Sequence, residues 1–129
     1  MVELLTPAWV ELHGAVLGAL PEVPGATARV QHVVTGAPGG EVAYTLGLVD
    51  GRVADTAFGR DDDAADCTFL ETYDDAVRLA SGQAELHVEF MRGKVKMTGA
   101  TGRFMAVLEC LQGDAYRAAL AEIAAATAA

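Results

Sequence analysis

One segment, residues 66–99, constrains the fold more than any other part of the chain, because strand, helix and turn signals follow each other in it with almost no loop. It reads DCTFLETYDDAVRLASGQAELHVEFMRGKVKMTG. Thr72 and Asp75 have the spacing of a helix capping box, with Asp in the place of the usual Glu or Gln, so a helix is predicted to begin at Tyr73. Gly82 is expected to end this helix, because glycine adopts the left-handed conformation without a Cβ clash.

The second half of the segment predicts another short helix and then a strand. This helix is expected to run from Gln83 until Gly93 stops it. Its expected buried residues are Leu86, Phe90 and Met91. Residues 94–98 then alternate polar and apolar, which places Val95 and Met97 on one face of a strand.

The order of these features resembles the sterol carrier protein type two family. In that family an Asp-started strand leads to a short acidic-capped helix, a glycine, a second helix carrying a Phe, and a Gly-Lys-x-Lys-x-x-Gly strand. The corresponding residues here are Asp66, Thr72, Asp75, Gly82, Phe90, Gly93, Lys94, Lys96 and Gly99. In element order the resemblance extends over about residues 4–125. It implies a sheet covered on one face by helices, with an apolar tunnel between them that binds a sterol, a fatty acid or a fatty acyl-CoA.

The N-terminal part of the chain predicts one helix followed by strands. Thr6 can cap the helix, Pro7 fits its first position, and Pro21 is expected to end it. Residues 29–35 and 42–48 alternate as strands do.

The dipeptide Asp50-Gly51 favours a type I′ turn, so residues 52–58 are expected to return as the antiparallel partner of the preceding strand. An acidic, solvated loop over residues 59–65 then leads to a strand over residues 67–71.

Two amphipathic helices are expected after Gly99, the first ended by Gly113 and the second capped by Asp114, with a frayed tail over residues 125–129. The 129 residues suit one domain. Four strands in a meander, two helices, a fifth strand and two more helices predict an α+β fold. Its five-stranded, largely antiparallel sheet is expected to be covered on one face by helices.

Charge and composition narrow the possible functions. The net charge of −9 argues against nucleic-acid binding, which requires clustered Lys and Arg. No stretch is long and apolar enough to cross a bilayer, and the first residues lack signal-peptide features, so a cytoplasmic protein is expected, either monomeric or weakly dimeric. Four basic residues nevertheless cluster without an acid among them: Arg92, Lys94, Lys96 and Arg103. Lys94 and Lys96 are interpreted as the solvated face of a strand. The alternative is that the four residues form a positive site for a carboxylate, a CoA phosphate or an anionic membrane surface, the last by transient contact.

Catalytic and metal chemistry find little support in the chain. The histidines His13, His32 and His87 do not have the spacing of a metal site, and no metal or other cofactor is predicted. His32 is interpreted as a partly exposed sheet residue in preference to one that orients a ligand head group. Cys67 and Cys110 are interpreted as buried free thiols.

The resemblance to the sterol carrier protein type two family, together with the Phe and Met content, implies a non-catalytic lipid-binding protein. The Phe, Leu and Met residues expected to line its tunnel are Phe69, Leu79, Leu86, Phe90, Met97, Met105 and Leu108. Two alternatives remain open. One is an interaction module with a filled core, which docks on an enzyme of acyl-chain or sterol metabolism through an exposed Trp9 helix or the acidic loop. The other is a small enzyme that uses a thiol or a histidine.

Overall fold

Within residues 1–128, which the computed structural model describes, the chain forms seven strands and five helices. The strands are β1 (Val2–Glu3), β2 (Ala28–Thr35), β3 (Val42–Val49), β4 (Arg52–Phe58), β5 (Cys67–Thr72), β6 (Lys96–Gly99) and β7 (Thr127–Ala128). The helices are α1 (Pro7–Leu17), α2 (Tyr73–Ala80), α3 (Leu86–Met91), α4 (Thr101–Leu111) and α5 (Asp114–Ala125). The predicted α+β class is confirmed.

The main sheet has five strands in the order β4-β3-β2-β5-β6. All neighbours are antiparallel except β2 and β5, which run parallel. The prediction of a four-strand meander is therefore wrong, because β5 lies beside β2 and leaves β4 at the edge. Asp66 helps to set this pairing, since its Oδ2 accepts a hydrogen bond from the backbone N–H of Arg29 at 2.8 Å.

The local turn and cap signals are confirmed. Thr72 is the N-cap of α2, and its Oγ1 accepts a hydrogen bond from the backbone N–H of Asp75 at 3.2 Å. Asp50 and Gly51 have φ values of +48° and +84°, the positive pair that a type I′ turn requires. Gly93 ends α3 with φ +77°.

Several element ends differ from the predictions. Helix α3 begins at Leu86 and not at residue 83, because the backbone N–H groups of Gln83 and Ala84 both donate to the carbonyl of Arg78 and close α2 instead. Gly113, and not Asp114, is the N-cap of α5. The predicted frayed tail is also wrong as far as residue 128, because β7 pairs in parallel with β1; Ala129 lies outside the described residues.

The hydrophobic core lies between the helices and one face of the main sheet, which we call the inner face. Its strand residues alternate with outward-facing ones, and they are Val30, His32, Val34, Tyr44, Leu46, Leu48, Cys67, Phe69 and Glu71. On the opposite face, the acidic loop is anchored to the buried Gln31. The backbone N–H of Asp61 donates to Gln31 Oε1 at 2.7 Å, and Gln31 Nε2 donates to Asp62 Oδ1 at 2.9 Å. The loop therefore covers part of the outer face, in addition to meeting solvent.

Candidate functional site

A small cavity of about 70 Å³ lies between the helices and the inner face of the sheet. Its helical walls come from α1, α2 and α5, and the segment between α2 and α3 closes the remaining side. The lining residues are Leu5, Trp9, His13, His32, Tyr44, Leu46, Glu71, Ala76, Leu79, Ala80, Ala84, Leu86, Tyr116, Leu120 and Ile123. We call this space the first cavity.

A second cavity of about 20 Å³ continues the interior toward α4 and the end of α1. It is almost wholly apolar and includes Leu17, Phe69 and Val107 in its lining. Four residues line both cavities, namely His32, Leu46, Leu86 and Tyr116. These shared residues show that the two cavities adjoin.

The first cavity is mostly apolar, but one end of it is polar. His32 Nδ1 lies 3.5 Å from Glu71 Oε1, across the parallel pair β2 and β5, in a geometry that makes no hydrogen bond. Within residues 1–128, His32 Nδ1, Glu71 Oε2 and Trp9 Nε1 are buried without a hydrogen-bond partner. Tyr44 stacks on His32 with ring centroids 4.9 Å apart, and Trp9 meets Tyr44 edge to face at 5.3 Å.

Burial controls the protonation of the groups around this cavity. His13 donates from Nδ1 to the carbonyl oxygen of Trp9 at 2.9 Å, and burial lowers the pKa of its ring to about 4. Burial, with a smaller contribution from the Glu71 charge, raises the pKa of Tyr44 well above its usual value. The pKa of Tyr116 is also raised, mainly by burial. At neutral pH these three residues are therefore uncharged and can only offer hydrogen bonds.

The residues predicted to line a tunnel fall into three groups. Leu79 and Leu86 line the first cavity, and Phe69 and Leu86 line the second. Phe90, Met97 and Leu108 pack against the core without lining either cavity; the Phe90 ring lies 4.7 Å from that of Phe104.

Met105 does not reach the interior and is 57 % exposed. Phe104, Val107 and Leu111 define the inward stripe of α4, and Met105 lies one residue, or about 100°, from Phe104. Met91, which was expected to be buried in α3, is 75 % exposed for a similar reason, since it follows the inward-facing Phe90.

The sequence predictions did not identify Glu71 at the polar end of the cavity, and they preferred an exposed position for His32 over one that orients a ligand head group. His32 is buried, so its interpretation as a partly exposed residue is wrong. Its alternation with Val30 and Val34 was the available signal. Glu71 likewise alternates with Cys67 and Phe69, which indicates an inward-facing carboxylate.

Other features of the described chain offer less. A surface depression of about 300 Å³ is larger than either cavity, but it lies on the outside between the acidic loop and the β5–β6 edge and is lined largely by polar residues such as Asp62 and Thr68. Burial raises the pKa of the Cys67 thiol to about 11, which makes it unreactive, and no cluster of three or more metal-ligating side chains occurs in residues 1–128. Over the same residues, no helix is long and apolar enough to span a membrane.

Comparison with known proteins gives the same architecture. Residues 18–112 match the SCP-2 sterol transfer family, whereas no curated protein sequence matches the chain. A candidate sterol carrier protein from Thermus thermophilus is 19% identical with a TM-score of 0.76, over 95% of this chain and 91% of that chain. Sterol carrier protein 2 is also 19% identical, with a TM-score of 0.71 over 94% and 96% of the two chains.

A third similar structure is that of palmitated sterol carrier protein 2-like 2 from Aedes aegypti. It is 15% identical to this chain, with a TM-score of 0.61, over 81% of this chain and 92% of that chain. At these identities the structures support the fold, and the family match supports membership. Because that match spans well over half of the residues, the chain belongs to the SCP-2 sterol transfer family.

Proposed function

We propose that this protein binds one apolar lipid, a sterol, a fatty acid or a fatty acyl-CoA, between its helices and the inner face of its sheet, and transfers it between membranes. The observation that carries the proposal is the pair of adjoining cavities at this place, whose linings share four residues. The lipid-binding character of the family and the palmitated structure of the Aedes aegypti protein give further support.

The cavities must widen for this function, because ligand pockets usually occupy about 300 Å³ or more. The wall that can move is formed by α2, Ala84 and α3. Leu79, Ala80, Ala84 and Leu86 are all only partly buried there. Burial of a chain of about sixteen carbons would contribute on the order of 10 kcal/mol before the costs of association and of moving this wall. No catalytic residue is required.

We expect exchange with membranes to take place at the basic cluster of Arg92, Lys94, Lys96 and Arg103. Lys94 and Lys96 are exposed, while Arg92 and Arg103 approach acidic side chains at 3.8 and 3.6 Å with more than half of their own side chains in solvent. Met91 directly precedes Arg92, and Met105 lies two residues after Arg103. Both side chains are exposed and add apolar surface. Such a combination favours an anionic membrane surface.

The experiment is lipid loading of a variant whose first cavity is filled. Ala84→Phe places a large ring at the cavity wall, whereas Ala118→Phe adds the same ring to an exposed position of α5 and is the matched control. We expect the wild type and Ala118→Phe to bind a fluorescent fatty acid or a fluorescent sterol. Ala84→Phe should bind these probes at least about tenfold more weakly, while its circular dichroism spectrum shows that it remains folded. Native mass spectrometry reports ligand mass and subunit number, and transfer of the fluorescent lipid should be faster to anionic than to zwitterionic vesicles.

The second candidate function is a filled-core interaction module, which the small volume of the cavities favours. The Trp9 side chain is buried against Tyr44, so it cannot be the docking surface of this module. The acidic loop is then the remaining candidate for that surface. Absence of co-purified lipid, together with no binding of either fluorescent probe, would support this module and contradict the lipid-binding proposal.

A further inference from the structure

The polar end of the first cavity is unusual for an interior built to hold hydrocarbon. Glu71 is the group there that most needs polar partners, because its side chain is only 2% exposed and the ligands expected for the family are apolar. Buried carboxylates are normally paired with a cation or with several hydrogen-bond donors, and an unsatisfied one is costly. Glu71 has His32 at 3.5 Å and, for Oε2, no partner in the described residues.

The unsatisfied groups include both a donor and an acceptor. Trp9 Nε1 can only donate, and Glu71 Oε2 accepts when ionised. His32 Nδ1 can do either, depending on its tautomer, and the Tyr44 hydroxyl can both donate and accept. A group that fits this set must accept one hydrogen bond and donate another. A hydroxyl group does both.

The charges around the cavity disfavour an anion. In the part of the chain that the structure describes, neither cavity is lined by Lys or Arg, and Glu71 is the only carboxylate there. His13 is neutral because burial lowers the pKa of its ring to about 4. His32 already faces Glu71 at 3.5 Å and is therefore not free to pair with a second acidic group. A ligand carboxylate would thus meet a like charge in a space poorly screened by water.

The volume also fits a small head group. A cavity of about 70 Å³ is well below the roughly 300 Å³ of a usual ligand pocket, so it can hold a small head group but not a whole lipid. The space therefore accommodates a hydroxyl and its neighbouring carbon without movement of the protein, whereas the apolar remainder of a ligand requires the wall of α2 and α3 to open.

We propose that Trp9, His32, Tyr44 and Glu71 form a head-group site for a neutral hydroxyl, so that the protein selects lipid alcohols, sterols among them, over lipids with a free carboxylate. This inference rests on the proposed lipid-binding function. The ligand hydroxyl donates a hydrogen bond to Glu71 Oε2, and Trp9 Nε1 donates one to the hydroxyl oxygen. No covalent step is involved.

The test compares three ligands with the same twelve-carbon chain: 1-dodecanol, dodecanoate and dodecyl methyl ether. The delipidated wild-type protein is first loaded with a neutral fluorescent lipid at pH 8. Displacement of this probe then measures the affinity of each ligand. The alcohol should bind about tenfold or more tightly than the ether, because only the alcohol can donate to Glu71, and dodecanoate should bind more weakly than the alcohol.

Two variants assign the preference to this site. Glu71→Gln keeps the shape and removes the charge, so the disadvantage of dodecanoate relative to 1-dodecanol should shrink by about tenfold. Trp9→Phe keeps an aromatic ring and removes the donor, so the alcohol and the ether should both lose the affinity that a hydrogen bond to their oxygen supplies. Glu122→Gln, on the exposed face of α5, is the matched control and should leave all three affinities unchanged.

The possible failures are distinguishable. If none of the three ligands displaces the probe from the wild type, the proposed lipid-binding function fails. If all three bind with equal affinity, or if Glu71→Gln, shown to be folded by its thermal melt, leaves their order unchanged, only the head-group site is refuted. Trp9→Phe keeps the test decisive should Glu71→Gln not fold.

Discussion

The buried carboxylate of Glu89 should make Arg78 one of the most important residues for the stability of this protein. The Glu89 side chain is 2% exposed, and Arg78 reaches it with two guanidinium nitrogens, Nη1 at 3.5 Å from Oε2 and Nη2 at 3.4 Å from Oε1. Arg92 also approaches it at 3.8 Å, but the Arg92 side chain is mostly in solvent. The pair joins α2 to α3 and therefore holds together the wall of the first cavity.

The magnitude follows from the loss of the stronger partner. Removing one partner of a buried ion pair costs about 3–5 kcal/mol, because the remaining charge stays buried without compensation. The distances here exceed the roughly 2.7–2.9 Å of an ideal charged pair, and Arg92 remains, so the lower end of that range applies. We expect Arg78→Met, which keeps most of the aliphatic length, to lower the free energy of unfolding by about 3 kcal/mol. A further few tenths come from the lost helical pair with Asp75 at 3.3 Å.

Thermal and urea unfolding followed by circular dichroism measure this effect. With an unfolding entropy of about 2.1 cal/mol/K per residue, a loss of about 3 kcal/mol corresponds to a decrease in Tm of about 11 °C. Arg92→Met is the matched control and should cost less than about 1 kcal/mol, as expected for an exposed partner. The double variant Arg78→Met/Glu89→Met replaces both charges with apolar groups and should recover most of the lost stability.

Two results would refute this reasoning. The first is an Arg78→Met variant that is no less stable than Arg92→Met, because Glu89 would then be compensated by something other than Arg78. The second is a double variant less stable than Arg78→Met itself, since removal of the stranded carboxylate must relieve its desolvation cost.

Two further predictions concern α1 and the end of β6. Below pH 6.5 the unfolded chain protonates His13 while the folded chain, with a pKa of about 4, does not, so the stability present above pH 6.5 is lost as the pH falls toward 4. Relative to that of His13→Gln, the free energy of unfolding of the wild type should fall by about 3 kcal/mol as the pH is lowered from 7.5 to 4. A difference that stays constant over this range would contradict the prediction. Gly99 has φ +115°, and a Cβ there would overlap the carbonyl oxygen of Asp66. Gly99→Ala should therefore cost about 2 kcal/mol or more in urea unfolding, whereas Gly102→Ala, in open space within α4, should cost nothing; equal effects would count against this account.

The sequence predicts what depends on residues close together in the chain. Thr72 caps α2 through a hydrogen bond to a residue three positions away, and the Asp50-Gly51 turn depends on its own backbone angles, so both signals are complete locally. The parallel pairing of β5 with β2 is different. It brings Arg29 next to Asp66, although the whole β3–β4 hairpin lies between them in the chain. The sequence of either strand alone does not indicate which strand it pairs with.

The face of a short apolar helix is also difficult to predict. Helix α3 reads LHVEFM and α4 begins TGRFM, so in each helix a Phe and a Met are adjacent and only one of them can face inward. Phe90 and Phe104 do so and contact each other, which leaves Met91 and Met105 in solvent. The choice depends on the neighbouring ring, which belongs to another element of the fold.

The two fully buried glutamates, Glu71 and Glu89, look alike in the sequence, where each is one acid in a largely apolar element. Their surroundings separate them. Glu89 is held by Arg78 and faces no cavity, so its charge is compensated within the protein and its role is to fasten α2 to α3. Within residues 1–128, Glu71 has no Arg or Lys within ion-pair distance, faces the first cavity, and has an oxygen without a hydrogen-bond partner. The fold itself leaves this carboxyl group unsatisfied, so we expect a ligand that carries a hydroxyl to complete its hydrogen bonding better than a wholly apolar one, as the proposed head-group site requires.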